Sequence, residues 1–234
     1  MAQPPLLREG GASACSNDLP NDLHHPKSIL VGRSCSSFES TRLYDVEMEE
    51  PYVIAINAVS GGGKTEIARL VHASLPSSTL FCFDDFDETN VYPDDFYEWY
   101  QRGANLLEFD CPGLSAAIEE EIRAQNSRYL ILDYPFGRDH PRLRERIDLS
   151  VFIDTPLDVA MARRILRDSL CSTQVTTEKQ IADLKKELIH YLSKGRLVYL
   201  TTDVHKKDSD LIVDGLASAE AIRDEILAAV RLRR

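Results

Sequence analysis

The sequence has no run of about 18 apolar residues, so no segment of it reads as a membrane-spanning helix. It also lacks a basic N-terminal stretch leading into an apolar core, and the expectation is a chain that is not exported. Positive charge is in deficit: 27 Lys and Arg stand against 38 Asp and Glu, a formal charge of −11. Polynucleotide binding leaves a basic stripe, and with none present nucleic acid is excluded as the expected partner. A small phosphate ligand stays compatible, because its site is built from backbone N–H groups and a few local cations. Cysteine is sparse as well. Cys15, Cys35, Cys82, Cys111 and Cys171 form no CxxC pair and no metal-ligand spacing. An odd count without an export signal reads as free thiols in a reducing, cytoplasmic compartment. No internal repeat is evident.

What is present divides into two parts. Met1 to Ser40 is rich in Pro, Gly, Ser and Asn without helical or strand periodicity, so residues 1–49 are expected to be a disordered N-terminal extension. Residues 50–234 are expected to form the folded domain. There, short apolar strands alternate with amphipathic stretches. Strands are predicted at Tyr52–Ile56, Thr79–Phe83, Tyr129–Leu132, Leu149–Ile153 and Leu211–Val213. Helices are predicted at Thr65–Leu75, Asp94–Arg102, Leu114–Gln125, Leu157–Leu170, Glu178–Ser193 and Ala217–Val230. Such alternation implies βαβ units and a parallel sheet covered on both faces, an α/β fold.

The segment Ala58-Val59-Ser60-Gly61-Gly62-Gly63-Lys64-Thr65 follows the first strand and opens the first helix, the context a phosphate-binding loop requires. Three glycines let successive N–H groups turn inward on phosphate oxygens, and the helix N-terminus adds partial positive charge. Ser60, Gly61, Gly62 and Gly63 are therefore candidate nucleotide contacts. Lys64 is placed to reach the outer phosphates and Thr65 to join a Mg²⁺ shell. One position departs from the usual pattern: Ala58 stands where such loops open with Gly. The loop still closes if the backbone there keeps φ below zero. A glycine-rich turn before an ordinary helix is the alternative, and the strand–loop–helix order speaks against it.

Ligands of open parallel sheets bind at the carboxyl ends of the strands. Phosphoryl transfer to an alcohol needs a carboxylate for the hydroxyl proton, a carboxylate near the metal and cations on the phosphates. Asp84 and Asp85, after the second strand, are candidates for the first role and Asp133, after the third, for the second. Turn and cap roles stand against each. Asp154, ahead of Pro156 and a helix, reads better as a cap. Arg163, Arg164 and Arg167 fall within about a 100° arc of their helix, opposite Met161, Ala162 and Ile165. They are either a lid that closes over phosphates or a solvated basic face, and spacing alone leaves both open.

Together, VSGGGKT, FDDFD at 83–87, FDCP at 109–112 and VFIDTPLDVAMARRILRD at 151–168 resemble the uridine kinase and phosphoribulokinase group of P-loop kinases, which includes nicotinamide riboside kinases. The resemblance runs from about Tyr52 to Val230. It implies a three-layer P-loop NTPase fold with a five-stranded parallel sheet in the order 2-3-1-4-5. It implies Asp84 as general base with Asp85 beside it, and Asp110 as the acid that holds sugar hydroxyls. Asp133 falls where the family has a Mg²⁺-linked Glu, and Arg163, Arg164 and Arg167 match lid arginines that contact phosphates and substrate. The turn after Asp133, Tyr-Pro-Phe-Gly-Arg, departs from the family, and Arg138 in it is a candidate substrate or phosphate contact. Tyr92, Phe96, Tyr97, Trp99 and Tyr100 cluster where an acceptor would lie, although at helical spacing such residues are more often core. The expected activity is transfer of the ATP γ-phosphate, with Mg²⁺, to a hydroxyl of a nucleoside- or sugar-like small molecule. The rivals are a nucleotide-hydrolysing regulatory module and a nucleotide-binding protein without catalysis.

Overall fold

A computed structural model describes residues 50–170 and 177–233. The extension expected at 1–49, and with it Cys15, Cys35 and Cys171, lies outside the described residues. Five strands, β1 (Tyr52–Asn57), β2 (Ser78–Cys82), β3 (Tyr129–Asp133), β4 (Leu149–Asp154) and β5 (Leu211–Asp214), form one sheet in the order β2-β3-β1-β4-β5. Every pairing is parallel. The helices are α1 (Lys64–Ser74), α2 (Phe96–Gln101), α3 (Pro112–Ala124), α4 (Pro141–Arg144), α5 (Leu157–Ile165), α6 (Thr177–His190), α7 (Arg196–Leu200) and α8 (Ala219–Arg233).

The strand alternation explains the three layers. In β1 and β3, Val53, Ala55, Leu130 and Leu132 face one side and meet α3 through Leu114 and Ile118, together with Phe83, Phe96, Trp99, Phe109 and Phe136. Ile54, Ile56 and Ile131 face the other side with Val151, Ile153 and Val213, and there α1 and α8 cover them through Ile67, Val71, Ile222 and Ile226. A strand buried on both faces cannot alternate apolar with polar, which is why these segments read as continuous apolar runs. The aromatic residues are concentrated in the first layer, a point that matters for the site.

Two local expectations are corrected. Asp154 does not cap α5: Pro156 holds that position without a side-chain cap, and Asp154 accepts an ion pair from Lys206 at 2.7 Å. The buried face of α5 is not Met161, Ala162 and Ile165 either. Ala160 and Arg164 are buried, whereas Ala162 is exposed. Beneath the helix lies the glycine loop after β1: Ala160 packs with Val59 and Tyr199, and its carbonyl oxygen would stand 2.2 Å from a β-carbon on Gly61.

Candidate active site

The loop from Ala58 to Gly63 joins β1 to α1 at the carboxyl edge of the sheet. Gly61 and Gly63 take φ of 80° and 100°, backbone that β-carbons disfavour, so glycine is required there by conformation. Gly62 is required for space: a β-carbon on it would stand 2.7 Å from Cβ of Ala58 and 2.7 Å from the Val59 carbonyl. This also accounts for Ala58. Its backbone keeps φ out of the positive region, and its methyl occupies the room that Gly62 leaves. The Gly62 N–H donates to the Val59 carbonyl at 2.8 Å, and the Thr155 hydroxyl donates to the Gly62 carbonyl at 2.9 Å. Thr155, between β4 and α5, thus braces the loop from the neighbouring strand. Its position was legible in the D-T-P segment; its contact, 93 residues from the loop, was not.

At the head of α1, Thr65 donates its hydroxyl to Oδ2 of Asp133 at 2.6 Å, and Nζ of Lys64 lies 3.9 Å from Oδ1 of the same carboxylate. Lys64 and Asp133 are both almost fully buried. A hydroxyl and a carboxylate side by side at the end of β3 are oxygen donors of the kind a hard divalent cation takes. The register Cys82↔Asp133 brings the end of β2 beside them. There Asp84 and Asp85 occupy a short 3-10 turn, Phe83–Phe86, with Asp84 half-buried and Asp85 exposed. The Cys82 thiol is pushed up to about 12 by burial first and by the neighbouring carboxylates of Asp133, Asp85 and Asp84 next, so it stays protonated.

Asp110 stands in the FDCP segment, where its backbone bridges Val91 in an antiparallel pair. Its carboxylate takes a two-pronged salt bridge from Arg142 of α4, with Nη2 to Oδ2 at 2.6 Å, and accepts from the Cys111 N–H at 2.8 Å. Burial pushes the Asp110 carboxyl up, but the Arg142 and Cys111 hydrogen bonds outweigh it and hold it below the ordinary carboxylate range. A depressed folded value means the pairing contributes stability above the unfolded value and loses it as pH falls through the folded one. Arg142→Ala is expected to move the Asp110 carboxyl upward, read by NMR titration of its carboxyl carbon. An unchanged titration would leave the Cys111 N–H as the group that sets it.

The arginines are distributed differently from the expectation. Arg164 is buried, ion-paired to Glu187 of α6 and 5.4 Å above the Tyr199 ring, so its charge is engaged within the protein. Arg163 is exposed and donates to the Gly215 carbonyl at 3.2 Å, just past β5. Arg167, in the turn that continues α5, pairs with Asp168 at 2.6 Å. The expectation for Arg138 is corrected outright. Its guanidinium donates to the Ile147 and Asp148 carbonyls at 3.0 and 2.7 Å and pairs with Asp210, at the residues leading into β4 and β5. It clamps the entry edge of the sheet, opposite the loop, because those unpaired carbonyls need donors.

A cavity of about 280 Å³ adjoins the loop. Ala58, Ser60 and Lys64 form one wall, and Phe96, Trp99, Leu106, Phe109 and Phe136 form much of the rest, closed by Thr201, Thr202, Val204 and His205. Asp84, Asp85 and Asp110 are not among its lining residues. The aromatics are thus core and cavity wall at once: Trp99 is buried, with its indole N–H given to the Asn105 carbonyl at 2.8 Å. Phe136 and His205 give no sign in the sequence of their place here.

No protein-family model matches the chain. A uridine kinase of Saccharomyces cerevisiae is 27% identical over 147 residues, which are 50% of this chain and 29% of that protein. A uridine kinase of Alkaliphilus metalliredigens is 23% identical over 216 residues, 79% of this chain and 97% of that protein. The chain therefore spans less than a third of the yeast relative's length and nearly all of the bacterial one's. Among solved structures, a gluconokinase from Sinorhizobium meliloti aligns with a TM-score of 0.45 at 19% identity, covering 79% of this chain and 95% of that one. By sequence, this chain is similar to uridine kinases, and its strand order and glycine loop are those of a P-loop kinase fold.

Proposed function

We propose that the chain is an ATP-dependent kinase that moves the γ-phosphate to a hydroxyl of a nucleoside- or sugar-like small molecule. The observation that carries this reading is the shared wall: Lys64 and Ser60 belong both to the phosphate loop and to the lining of the 280 Å³ cavity. A hydrolysing switch needs room for a water molecule; an apolar chamber with aromatic walls is what a small organic acceptor needs. The uridine kinases to which the chain is similar support an acceptor of nucleoside type.

On this reading the loop N–H groups of Ser60 to Gly63 and the Lys64 ammonium hold the phosphates, and Lys64 offsets the charge that builds as transfer proceeds. Thr65 and Asp133 are the residues that would hold Mg²⁺, which when bound draws phosphate charge toward the metal. Asp84, with Asp85 beside it, stands outside the cavity at the end of β2 next to Asp133, and takes the proton of a hydroxyl that projects from the cavity toward the loop. Asp110, kept anionic by Arg142, offers only lone pairs and suits the hydroxyls of a sugar. Arg163 on α5 and Arg167 in the turn that follows it are exposed, and from there they offer positive charge to the nucleotide's outer phosphates.

The test is ADP release from Mg-ATP across a panel of nucleosides, nicotinamide riboside, ribulose 5-phosphate, pantothenate and simple sugars. Turnover that requires one acceptor class, and that drops about a hundredfold or more in Asp84→Asn, is expected. Turnover indifferent to every acceptor and to Asp84→Asn would make the chain a nucleotide hydrolase instead.

A further inference from the structure

His205 lies in the 3-10 turn Thr201–Lys206, which follows α7 and forms the side of the cavity remote in sequence from the phosphate loop. The side chain is buried, a costly place for an imidazole unless both nitrogens have a use. Nδ1 is taken by Oδ2 of Asp139, itself largely buried and 66 residues away in the chain. Burial pushes the Asp139 carboxyl up, but the hydrogen bond it accepts from His205 outweighs this and holds it below the ordinary range. The ring is further fixed edge-on to Phe136, with centroids 6.3 Å apart. Nε2 has no hydrogen-bond partner among the described residues.

The polar groups around it share one character. The Thr201 and Thr202 hydroxyls donate backward to the Val198 and Tyr199 carbonyls at 2.6 and 2.7 Å, so toward a ligand each oxygen has only lone pairs left. When Nδ1–H is given to Asp139, Nε2 is likewise an acceptor. Three residues that carry these acceptor atoms therefore line one side of a cavity whose aromatic walls are apolar. On the loop side, the Ser60 hydroxyl, in a residue 4% exposed, has no hydrogen-bond partner among the described residues. A buried polar atom left unmet at a cavity wall is open to a hydrogen bond from whatever enters the cavity.

We propose that His205, positioned by Asp139, is the residue that recognises the acceptor, taking a hydrogen bond from one of its O–H or N–H groups at Nε2. The inference rests on the kinase reading, since it names the acceptor's partner in the chamber beside Lys64. It selects a donor-rich molecule over a plain apolar one, because the aromatic walls alone accept either. Asp139 acts through His205 and is a positioning residue.

The test measures binding of uridine, cytidine, nicotinamide riboside and ribose by calorimetry to the full chain held with a non-hydrolysable ATP analogue and Mg²⁺. His205→Asn keeps an amide near the Nδ1 position for Asp139 and removes Nε2; His205→Gln does the reverse. The expected result is a loss of about tenfold or more in affinity for the bound panel member in His205→Asn. Partial retention is expected in His205→Gln, with affinity for the ATP analogue unchanged in both. The opposite order, with His205→Asn retaining binding, would reduce the pair to a structural clasp and overturn the assignment while leaving the kinase reading intact. No binding of any panel member to the wild type would overturn the kinase reading and this assignment with it.

Discussion

Lys64→Ala is expected to lower acceptor-dependent ADP release by about a hundred- to a thousandfold, with a smaller loss of nucleotide affinity. Lys64 is the first residue of α1, buried, 3.9 Å from Asp133 and on the wall of the cavity. It therefore stands between the phosphate loop, the carboxylate of the proposed metal site and the chamber proposed for the acceptor. A cation at that junction acts most strongly when charge spreads over the transferring group, because burial keeps water from screening it. Its loss also leaves a buried carboxylate with one counter-charge fewer, so the variant's melting temperature has to be measured beside its rate. Lys64→Arg retains the charge but replaces a compact ammonium by a broad fork, and should recover binding better than turnover. Wild-type turnover in Lys64→Ala would take the loop out of the chemistry altogether.

The second large effect is expected from Gly61→Ala. At φ of 80° a β-carbon costs about 1–2 kcal/mol by local crowding alone. Here it would also stand 2.2 Å from the Ala160 carbonyl oxygen and 3.3 Å from Cβ of Arg164, so α5 has to move off the loop. Crowding of packed backbone adds about 1–3 kcal/mol, for a total of about 2–5 kcal/mol and a fall in melting temperature of roughly 5–15 °C. Gly63→Ala is the control. Its φ of 100° carries the same local penalty, but a β-carbon there meets nothing within 4 Å. Equal destabilisation by the two substitutions would mean that α5 does not rest on the loop, and the contact that ties the arginine helix to the phosphate site would be lost from the account.

These two residues also show where the sequence was sufficient. The glycine loop was legible because strand, turn and helix are adjacent in the chain, and each glycine answers a local demand of φ or space. The strands were legible as apolar runs because both faces of the sheet are covered, and the order β2-β3-β1-β4-β5 followed from the family resemblance and not from the runs themselves. The condition placed on Ala58, a backbone outside positive φ, is met, but its reason is visible only with Gly62 in view.

Where sequence and structure differ, the cause is non-local. Periodicity assigns burial by residue type, so it put Ala162 inside and Arg164 outside. Glu187, 23 residues further on, and the Tyr199 ring reverse that by giving a buried guanidinium its partners. Arg138 follows Asp133 closely in the chain, yet its donors turn to the carbonyls of Ile147 and Asp148 at the far edge. Arg142, Asp139 and His205 give no signal, since ion pairs between positions 32 and 66 residues apart leave no pattern in either neighbourhood. The cavity was hidden for the same reason. Its walls come from the loop, from α2, from the turn after β3 and from the segment after α7.

The central claim is that a phosphoryl group passes from the loop into the cavity, and the most direct measurement is of the product itself. The chain is incubated with Mg-ATP and uridine, then with each other member of the acceptor panel, and the mixture is analysed by mass spectrometry and ³¹P NMR. The expected product is a phosphomonoester of one acceptor class, formed one-for-one with ADP and absent when the acceptor is omitted. ADP accompanied only by inorganic phosphate, at the same rate with and without every acceptor, would contradict it.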